Sequence, residues 1–144
     1  MIEVREFTSA DYDAVVSLWK ASRGVTLRDV DARGPLTAYL GQHRGLSFVA
    51  VEGDAIVGAV LCGTDGRRGY LQHLAVASSH RRRGIGRALA ERCVAALAAR
   101  GIDKCHLMVV TQNVEAMAFW SRLGWKDRSD VRLMSHTASD SATA

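Results

Sequence analysis

The feature that most constrains this chain is a β-forming apolar run, residues 70–76, which leads through a short basic segment into a helix-forming run. The segment reads Arg81-Arg82-Arg83-Gly84-Ile85-Gly86-Arg87-Ala88. A strand, a tight loop and the start of a helix point several backbone N–H groups and the positive end of the helix dipole at one place. Glycines let the backbone approach an anion closely, and arginines add positive charge around it. The pattern therefore predicts a phosphate or pyrophosphate site at this loop.

Length and composition favour a single globular domain. The chain has 144 residues, of which 48% are hydrophobic and 24% are charged, enough to bury a substantial core. We expect one domain over residues 1–136 and a flexible, small and polar tail over residues 137–144. The net charge of +4 is concentrated between Arg81 and Arg87. That favours a small anionic ligand over nucleic acid, which would need a longer basic stripe, so no nucleic-acid partner is expected.

Other segments indicate a cytoplasmic protein without a membrane partner. No apolar run approaches the roughly 18 residues of a membrane span, and the N-terminus lacks the apolar core of a signal peptide. The three cysteines, Cys62, Cys93 and Cys105, lie in apolar stretches without CxxC spacing, as is typical of buried thiols in a reducing compartment. The histidines show no ligand spacing with them, so no metal site is expected.

Hydrophobic periodicity and turn residues predict an α+β element order. The predicted elements are a strand at 2–7, a helix capped at 8–11, a polar loop at 23–35, a short helix at 36–43, strands at 46–52, 55–62 and 70–76, a helix at 84–100, a strand at 104–110, a helix at 113–123 and one or two strands after residue 125, the last near 131–136. A helix joins the strands at 70–76 and 104–110, so we expect these two strands to be parallel.

Two motif blocks resemble a known family. Arg81-x-x-Gly84-x-Gly86 resembles the Q/R-x-x-G-x-G/A loop of the GCN5-related N-acetyltransferases (GNAT family). The segment Asn113-x-x-Ala116-x-x-Phe119-Trp120-x-x-x-Gly124-Trp125 is similar to that family's N-x-x-A-x-x-F-Y-x-x-x-G-F block. The resemblance implies an α+β fold with a mixed, mostly antiparallel central sheet and helices on both faces. It also implies a splayed parallel strand pair that holds the cofactor.

The resemblance further implies that acetyl-CoA donates an acetyl group to a primary amine, on a small molecule or a peptide N-terminus, by direct attack in a ternary complex. The alternative is an acyl-CoA-binding module of the same fold with little or no turnover. The N–H of Val76 would stabilise the oxyanion, and the pantetheine arm would lie along the preceding strand. A homodimer through the C-terminal strands is compatible with the family. The implied cofactor-binding residues are Leu74, Ala75, Val76, Arg81, Arg82, Arg83, Gly84, Ile85, Gly86, Arg87, Ala88, Asn113, Phe119 and Trp120.

The proton donor departs from the family pattern. Many members carry a tyrosine after the phenylalanine, and its hydroxyl protonates the departing thiolate; this chain has Trp120. An indole N–H is not a proton-transfer acid near neutral pH. Either Trp120 packs against the pantetheine while water or Ser121 supplies the proton, or Tyr70 takes over. Asn113 has two compatible interpretations, a pantetheine contact and a helix N-cap.

The general base is also open. Many members place a carboxylate on the strand before the loop, where this chain has Gln72 and His73. Histidine is the side chain that changes charge near neutral pH, so His73 is a candidate base or relay. Strand alternation places His73 and Ala75 on one face of the sheet and leaves open which face meets the active site. The other interpretation of His73 is a packed strand histidine.

The polar loop falls where the family builds its acceptor site. It carries charges of both signs, Arg28, Asp29, Asp31 and Arg33. Such a mixture fits a zwitterionic or peptide-like acceptor.

Overall fold

A computed structural model describes residues 1–144, which form two compact units, Met1–Met108 and Val109–Ala144. The first unit is a five-stranded sheet in the order β1-β2-β3-β4-β5, in which β4 and β5 are parallel and all other neighbours are antiparallel. Its elements are β1 (Ile2–Glu6), α1 (Tyr12–Lys20), α2 (Arg33–Gln42), β2 (Phe48–Glu52), β3 (Ala55–Thr64), β4 (Gly69–Val76), α3 (Ile85–Ala98) and β5 (Cys105–His106). Short 3-10 turns stand at Ser9–Asp11, Asp29–Asp31 and Ser78–His80.

One face of the sheet is covered by α1 and α2. Val15 and Trp19 lie one helical turn apart on α1 and are fully buried. Leu36 and Leu40 lie one turn apart on α2 and are buried as well. Their side chains pack with Ala59 and other residues of the sheet into a single apolar cluster.

The opposite face is covered by α3, as Gly58, the neighbour of Ala59, shows. A Cβ atom at Gly58 would lie only 3.0 Å from Ile85 Cγ2 and 3.1 Å from Leu89 Cδ1. Successive strand residues point to opposite faces, so α3 packs opposite α1 and α2. Ile85, Leu89, Cys93 and Leu97 recur at helical spacing and form the buried stripe of α3. The α+β class, the mixed sheet and the helices on both faces are thus confirmed.

The second unit contains one helix, α4 (Val114–Arg122). Residues 125–136 form no strand, so the prediction of one or two strands there is wrong. Val131 and Leu133 alternate with polar residues as strand residues would, but their side chains are 61% and 74% exposed, and that of the adjacent Met134 is 91% exposed. Alternation without a paired neighbour or a buried face does not make a strand. A homodimer stays a prediction.

Two further boundaries differ from the prediction. The strand expected at 104–110 shrinks to Cys105–His106, because β4 and β5 separate beyond that pair. Helix α2 begins earlier than expected and includes Pro35 in its first turn, where a missing N–H breaks no helical hydrogen bond. The expectation of one domain over residues 1–136 with a tail at 137–144 stays a prediction. No helix of the structure is long and apolar enough to cross a membrane.

Candidate functional site

A bulge in β4 shapes the centre of the site. Ala59 pairs with Ala75, but Leu61 pairs with Gln72, so β4 holds one residue more than the facing segment of β3. His73 lies in this bulge with φ of +55°, in the left-handed region that residues with a side chain rarely adopt.

The bulge moves the following residues to the other face of the sheet. Gly69 lies beneath Leu97 of α3, and strict alternation would keep His73 and Ala75 on that face. Instead Ala75 belongs to the apolar cluster under α1, and the His73 ring lies 4.9 Å from the Trp19 ring. The structure therefore settles which face His73 and Ala75 share: it is the α1 face.

The bulge also turns the backbone N–H of Val76 outwards. Gly69 N–H donates to Lys104 O on the β5 side at 2.9 Å, whereas Ala77 N–H donates to Val57 O on the β3 side at 2.8 Å. In an unbroken strand these two N–H groups, eight positions apart, would point the same way. The extra residue inverts the pattern, and alternation then directs the N–H of Val76 away from β3.

The edge that this N–H faces is open because the parallel pair separates. Between β4 and β5, only Gly69 with Cys105 and Tyr70 with His106 are paired. Strand β4 then continues to Val76 without a partner on the β5 side. The arrangement is the splayed parallel pair of the predicted fold. An extended ligand can add its main-chain groups to such an edge.

The basic loop follows directly and ends at the start of α3. Arg82 and Gly84 have positive φ values of +62° and +77°, and Gly84 is the N-cap residue of the helix. No side chain caps the helix, and Ala88 N–H, which donates to Gly84 O at 3.0 Å, makes its first helical hydrogen bond. The N–H groups of the preceding residues, 85–87, are those that an anion can bind at a helix N-terminus.

The loop arginines differ in what they contact. Arg81 and Arg82 are exposed. Arg83 pairs with Glu52 at 3.4 Å, and Arg87 pairs with Glu91 one turn along α3 at 3.4 Å. Their positive charges surround the N-terminus of α3.

Glu52, at the end of β2, connects the basic loop to the sheet through contacts with His80 and Arg83. The sequence did not indicate this role. His80 Nε2 lies 2.8 Å from Glu52 Oε1, and the hydrogen bonds from His80 and Arg83 lower the pKa of the Glu52 carboxyl. The Ser79 hydroxyl contacts the other ring nitrogen of His80 at 2.7 Å. A glutamate at the end of a strand carries no local signal for such a contact.

On the α1 face, His73 forms a pair with a residue of the polar loop. His73 Nε2 lies 3.0 Å from Asp31 Oδ1, and Asp31 is 5% exposed. The Arg28 N–H donates to Asp31 Oδ2 at 2.9 Å. Burial disfavours ionisation of Asp31, but the hydrogen bonds from His73 and Arg28 outweigh it and hold the pKa of this carboxyl below its usual value.

The predicted loop charges therefore separate into different roles. Arg33 pairs with Asp13 at 2.5 Å and lies over the Tyr12 ring, 4.5 Å from its centroid. The Asp31 side chain instead reaches His73 on β4.

Tyr70, a candidate substitute acid, lies at the wrong end of β4. It stands at the paired start of the strand, with its hydroxyl 3.3 Å from Asp65 Oδ2 and its ring 5.9 Å from the His106 ring. Val76 is at the opposite end of the same strand.

The second motif block forms its own cluster in the second unit. Asn113 Oδ1 accepts from Ala116 N–H at 3.1 Å, which confirms the N-cap interpretation. The Trp120 ring lies edge-on to Phe119 at 5.0 Å and to Trp125 at 5.1 Å. A pantetheine contact from Asn113, Phe119 or Trp120 stays a prediction.

Comparisons with known proteins agree with this architecture. The model of the acetyltransferase (GNAT) family matches residues 12–125. A curated acetyltransferase of Pectobacterium atrosepticum is 36% identical over 126 residues, covering 87% of this chain and 88% of that protein.

Two solved structures show the same fold at low identity. The PaiA N-acetyltransferase of Thermoplasma acidophilum, in complex with coenzyme A, has a TM-score of 0.74 and 16% identity over 85% of this chain and 87% of its own. The ribosomal-protein-S18-alanine N-acetyltransferase of Escherichia coli has a TM-score of 0.75 and 20% identity over 90% of this chain and 80% of its own.

Proposed function

Because this chain belongs to the GNAT family of acetyltransferases, we propose that it transfers the acetyl group of acetyl-CoA to a primary amine by direct attack in a ternary complex. The observation that carries the proposal is the bulge in β4, which aims the N–H of Val76 at an open strand edge. The acceptor is an amine of a small molecule or the N-terminus of a peptide.

The donor site is assigned by main-chain geometry. Leu74 and Val76 offer backbone groups to the pantetheine arm, since Ala75 pairs with Ala59 and its side chain fills the apolar cluster. A pantetheine arm added as an extra strand draws its affinity from main-chain hydrogen bonds. The fit is good because nothing in the sheet pairs with β4 on this side beyond Tyr70.

The pyrophosphate is assigned to the start of α3. The N–H groups of Ile85, Gly86 and Arg87 precede the first helical hydrogen bond, and Gly84 brings no side chain near them. Ile85 contributes only its N–H, because its side chain is 4% exposed and packs on the sheet. Ala88 is the weakest of the predicted contacts, since its N–H is already bonded within the helix.

In the acetyl transfer, negative charge develops on the thioester oxygen and then on the departing sulfur. The N–H of Val76 stabilises the thioester oxygen as the amine nitrogen attacks, and losing one such donor typically raises a barrier by about 2.7–4 kcal/mol. Free thiols titrate near pH 8.5, so the thiolate leaves readily and solvent can protonate it. Trp120 is assigned a packing role against the pantetheine, in place of the family's tyrosine acid.

The competing function is an acyl-CoA-binding module without turnover, which the indole at position 120 favours. Both functions require coenzyme A binding and differ only in release of the thiol. The free thiols of Cys62, Cys93 and Cys105 are consistent with action in the cytoplasm under either function.

The test combines binding with turnover on the full chain. Isothermal titration with coenzyme A should show micromolar binding, and no binding at millimolar coenzyme A would refute both functions. A panel of aminoglycosides, polyamines, amino acids and peptide N-termini is then screened for coenzyme A release, with acetylated products identified by mass spectrometry. If coenzyme A binds but no amine of the panel leads to release of free coenzyme A from acetyl-CoA, the binding module is favoured.

A further inference from the structure

His73 is held in an unusual backbone conformation by contacts from α1 and the polar loop. The fully buried Trp19 donates its indole N–H to the His73 carbonyl oxygen at 2.8 Å, and its ring packs edge-on against the imidazole. Asp31 holds the far ring nitrogen. Strained conformations that the surroundings enforce in this way are concentrated at functional sites.

The Asp31 contact determines where the imidazole carries its proton. Asp31 is ionised above its lowered pKa, and a carboxylate only accepts hydrogen bonds, so Nε2 of His73 is the protonated nitrogen. In the neutral ring, Nδ1 then bears the free lone pair.

Nδ1 is also the nitrogen that solvent and substrate can reach. No protein atom hydrogen-bonds to it, whereas every buried side-chain nitrogen or oxygen of the structure has a partner. The ring is 18% exposed, and Nδ1 therefore lies at its accessible side. Nδ1, the basic nitrogen of the neutral ring, is thus accessible, and the buried Asp31 carboxylate holds the ring through Nε2.

We propose that His73 is the catalytic base that deprotonates the acceptor amine through Nδ1, and that Asp31 is a positioning residue that fixes its tautomer and orientation. This inference rests on the proposed acetyl transfer. It also explains the position of the polar loop, because the Asp29–Asp31 turn places the Asp31 carboxylate beside β4, the strand that carries the Val76 N–H.

The placement suits proton removal at the reacting nitrogen. His73 and Val76 are three residues apart on one strand, so their backbones are separated by at most about 10 Å at the usual strand rise. Proton removal there requires the amine nitrogen to contact Nδ1 directly or through one water.

In the proposed reaction, the ammonium form of the acceptor gives one proton to Nδ1, which leaves a neutral amine and an imidazolium paired with Asp31. The amine nitrogen forms the C–N bond, the C–S bond breaks, and the thiolate leaves with the bonding electron pair. The second nitrogen proton passes through solvent to the thiolate, and His73 returns its proton to water.

The charged groups around His73 come from α1 and the polar loop. Helix α1 contributes the uncharged Trp19 ring, and Asp31 is the carboxylate bonded to the imidazole. Arg28 meets Asp31 through its backbone N–H. Asp13 and Arg33 are paired with each other. Asp31 is therefore the carboxylate that positions the His73 ring.

The first test compares His73→Asn and Asp31→Asn with the wild-type chain, using the best amine from the panel. Asparagine tolerates a positive φ, so H73N keeps the backbone. We expect kcat/KM at pH 7 to fall about 10²- to 10⁴-fold in H73N, the usual contribution of a general base, with the Kd for coenzyme A changed less than 2-fold. The deficit should shrink at high pH, where the amine loses its proton unaided.

The pH profile separates the two residues. In D31N the acidic limb of the kcat profile should remain but kcat should fall, because the imidazole has lost the carboxylate that fixes its tautomer and orientation. In H73N this limb should vanish. As a second variant, His73→Gly accepts the positive φ without strain, and added imidazole should restore part of its activity. Activity of H73N within 3-fold of wild type, or an unchanged kcat in D31N, would overturn the proposal.

The tautomer gives a readout without turnover. Nitrogen-15 NMR of the wild-type chain should show His73 protonated on Nε2, and D31N should lose that preference. A ring protonated on Nδ1 would refute the positioning role of Asp31. If no amine is acetylated by the wild type, the proposed function fails, and with it the base role of His73, while the NMR result still decides the role of Asp31.

Discussion

Two residues of the site, His73 and Arg82, adopt left-handed backbone conformations although both carry long side chains. Each such residue costs on the order of 1–3 kcal/mol, and the conformation persists only where surrounding contacts enforce it. At His73 the enforcing contacts come from Trp19 and Asp31. Arg82 lies two residues before Gly84, in the loop that Glu52 ties to the sheet through His80 and Arg83.

Gly84 offers a direct measure of backbone strain in this loop. A Cβ atom there would meet no neighbour within 4 Å, so an alanine would suffer only from the positive φ of +77°. We expect Gly84→Ala to lower the free energy of unfolding by about 1–2 kcal/mol, the usual cost of a left-handed L-residue. Urea denaturation of the purified variant measures it.

Gly41 is the matched control for that change. It also has open space around it, but it lies within α2 without a positive φ. Gly41→Ala should raise the free energy of unfolding by about 0.5–1 kcal/mol, because alanine is the better helix former. Changes of the same sign in both variants would contradict the explanation by backbone conformation.

At the level of elements, the site depends on how β4 and α3 leave the sheet. The bulge reverses the direction of the N–H groups in the second half of β4, and the separation of β5 exposes that edge. Helix α3 can come close to the sheet because Gly58 and Gly69 present no Cβ to its buried stripe. Its N-terminus is thereby brought beside the end of β4.

A charge placed in the first turn of α3 should separate ligand binding from stability. Gly86→Glu sets a carboxylate where the pyrophosphate is assigned, so the Kd for coenzyme A should rise at least about 100-fold. A glutamate near a helix N-terminus does not destabilise the helix, so the free energy of unfolding should not fall. Titration calorimetry and urea denaturation supply the two numbers.

The control places the same side chain elsewhere. Gly41→Glu makes an identical change on the exposed surface of α2 and should leave the Kd for coenzyme A within 2-fold of wild type. If G86E binds coenzyme A as tightly as G41E does, the pyrophosphate does not lie at the start of α3.

For the molecule as a whole, two buried carboxylates link folding to pH. Asp11 accepts from Arg5 in a bidentate pair at 2.8 and 2.9 Å, and from the Thr8 N–H at 3.0 Å. The hydrogen bond from Arg5 is the main reason that the pKa of Asp11 is lowered, against the opposing effect of burial. The pKa of Asp31 is lowered as well. A carboxyl with a lower pKa when folded stabilises the chain above its unfolded pKa, near 4, and that stability is lost as the pH falls through the folded value.

Asp11→Asn should therefore have a pH-dependent cost. At pH 7 the change leaves Arg5 without its carboxylate and should lower the free energy of unfolding by about 1–3 kcal/mol. As the pH falls below 4 the wild-type carboxyl becomes protonated too, and the two stability curves should converge. Urea denaturation between pH 7 and pH 2.5 tests this, and a constant difference at every pH would contradict it.

Much of the fold was predictable because its signals are local. The adjacent strands predicted at 46–52 and 55–62, the helix predicted at 84–100 and the Asn113 cap each depend on a few neighbouring residues, and the structure confirms them. The strands predicted after Trp125 were wrong for the complementary reason: alternation is local, but a strand also needs a partner to pair with.

The site divides in the same way. The anion loop and its helix were determined by the sequence, because glycines, arginines and a helix start at fixed spacing impose the geometry on adjacent residues. Tertiary structure alone decided the rest. The facing of His73 depends on one extra residue in the register between β3 and β4, which no side chain in the segment announces. The pairing of His73 with Asp31, 42 residues apart, and the contact of Glu52 with the loop depend on how distant elements pack around one core.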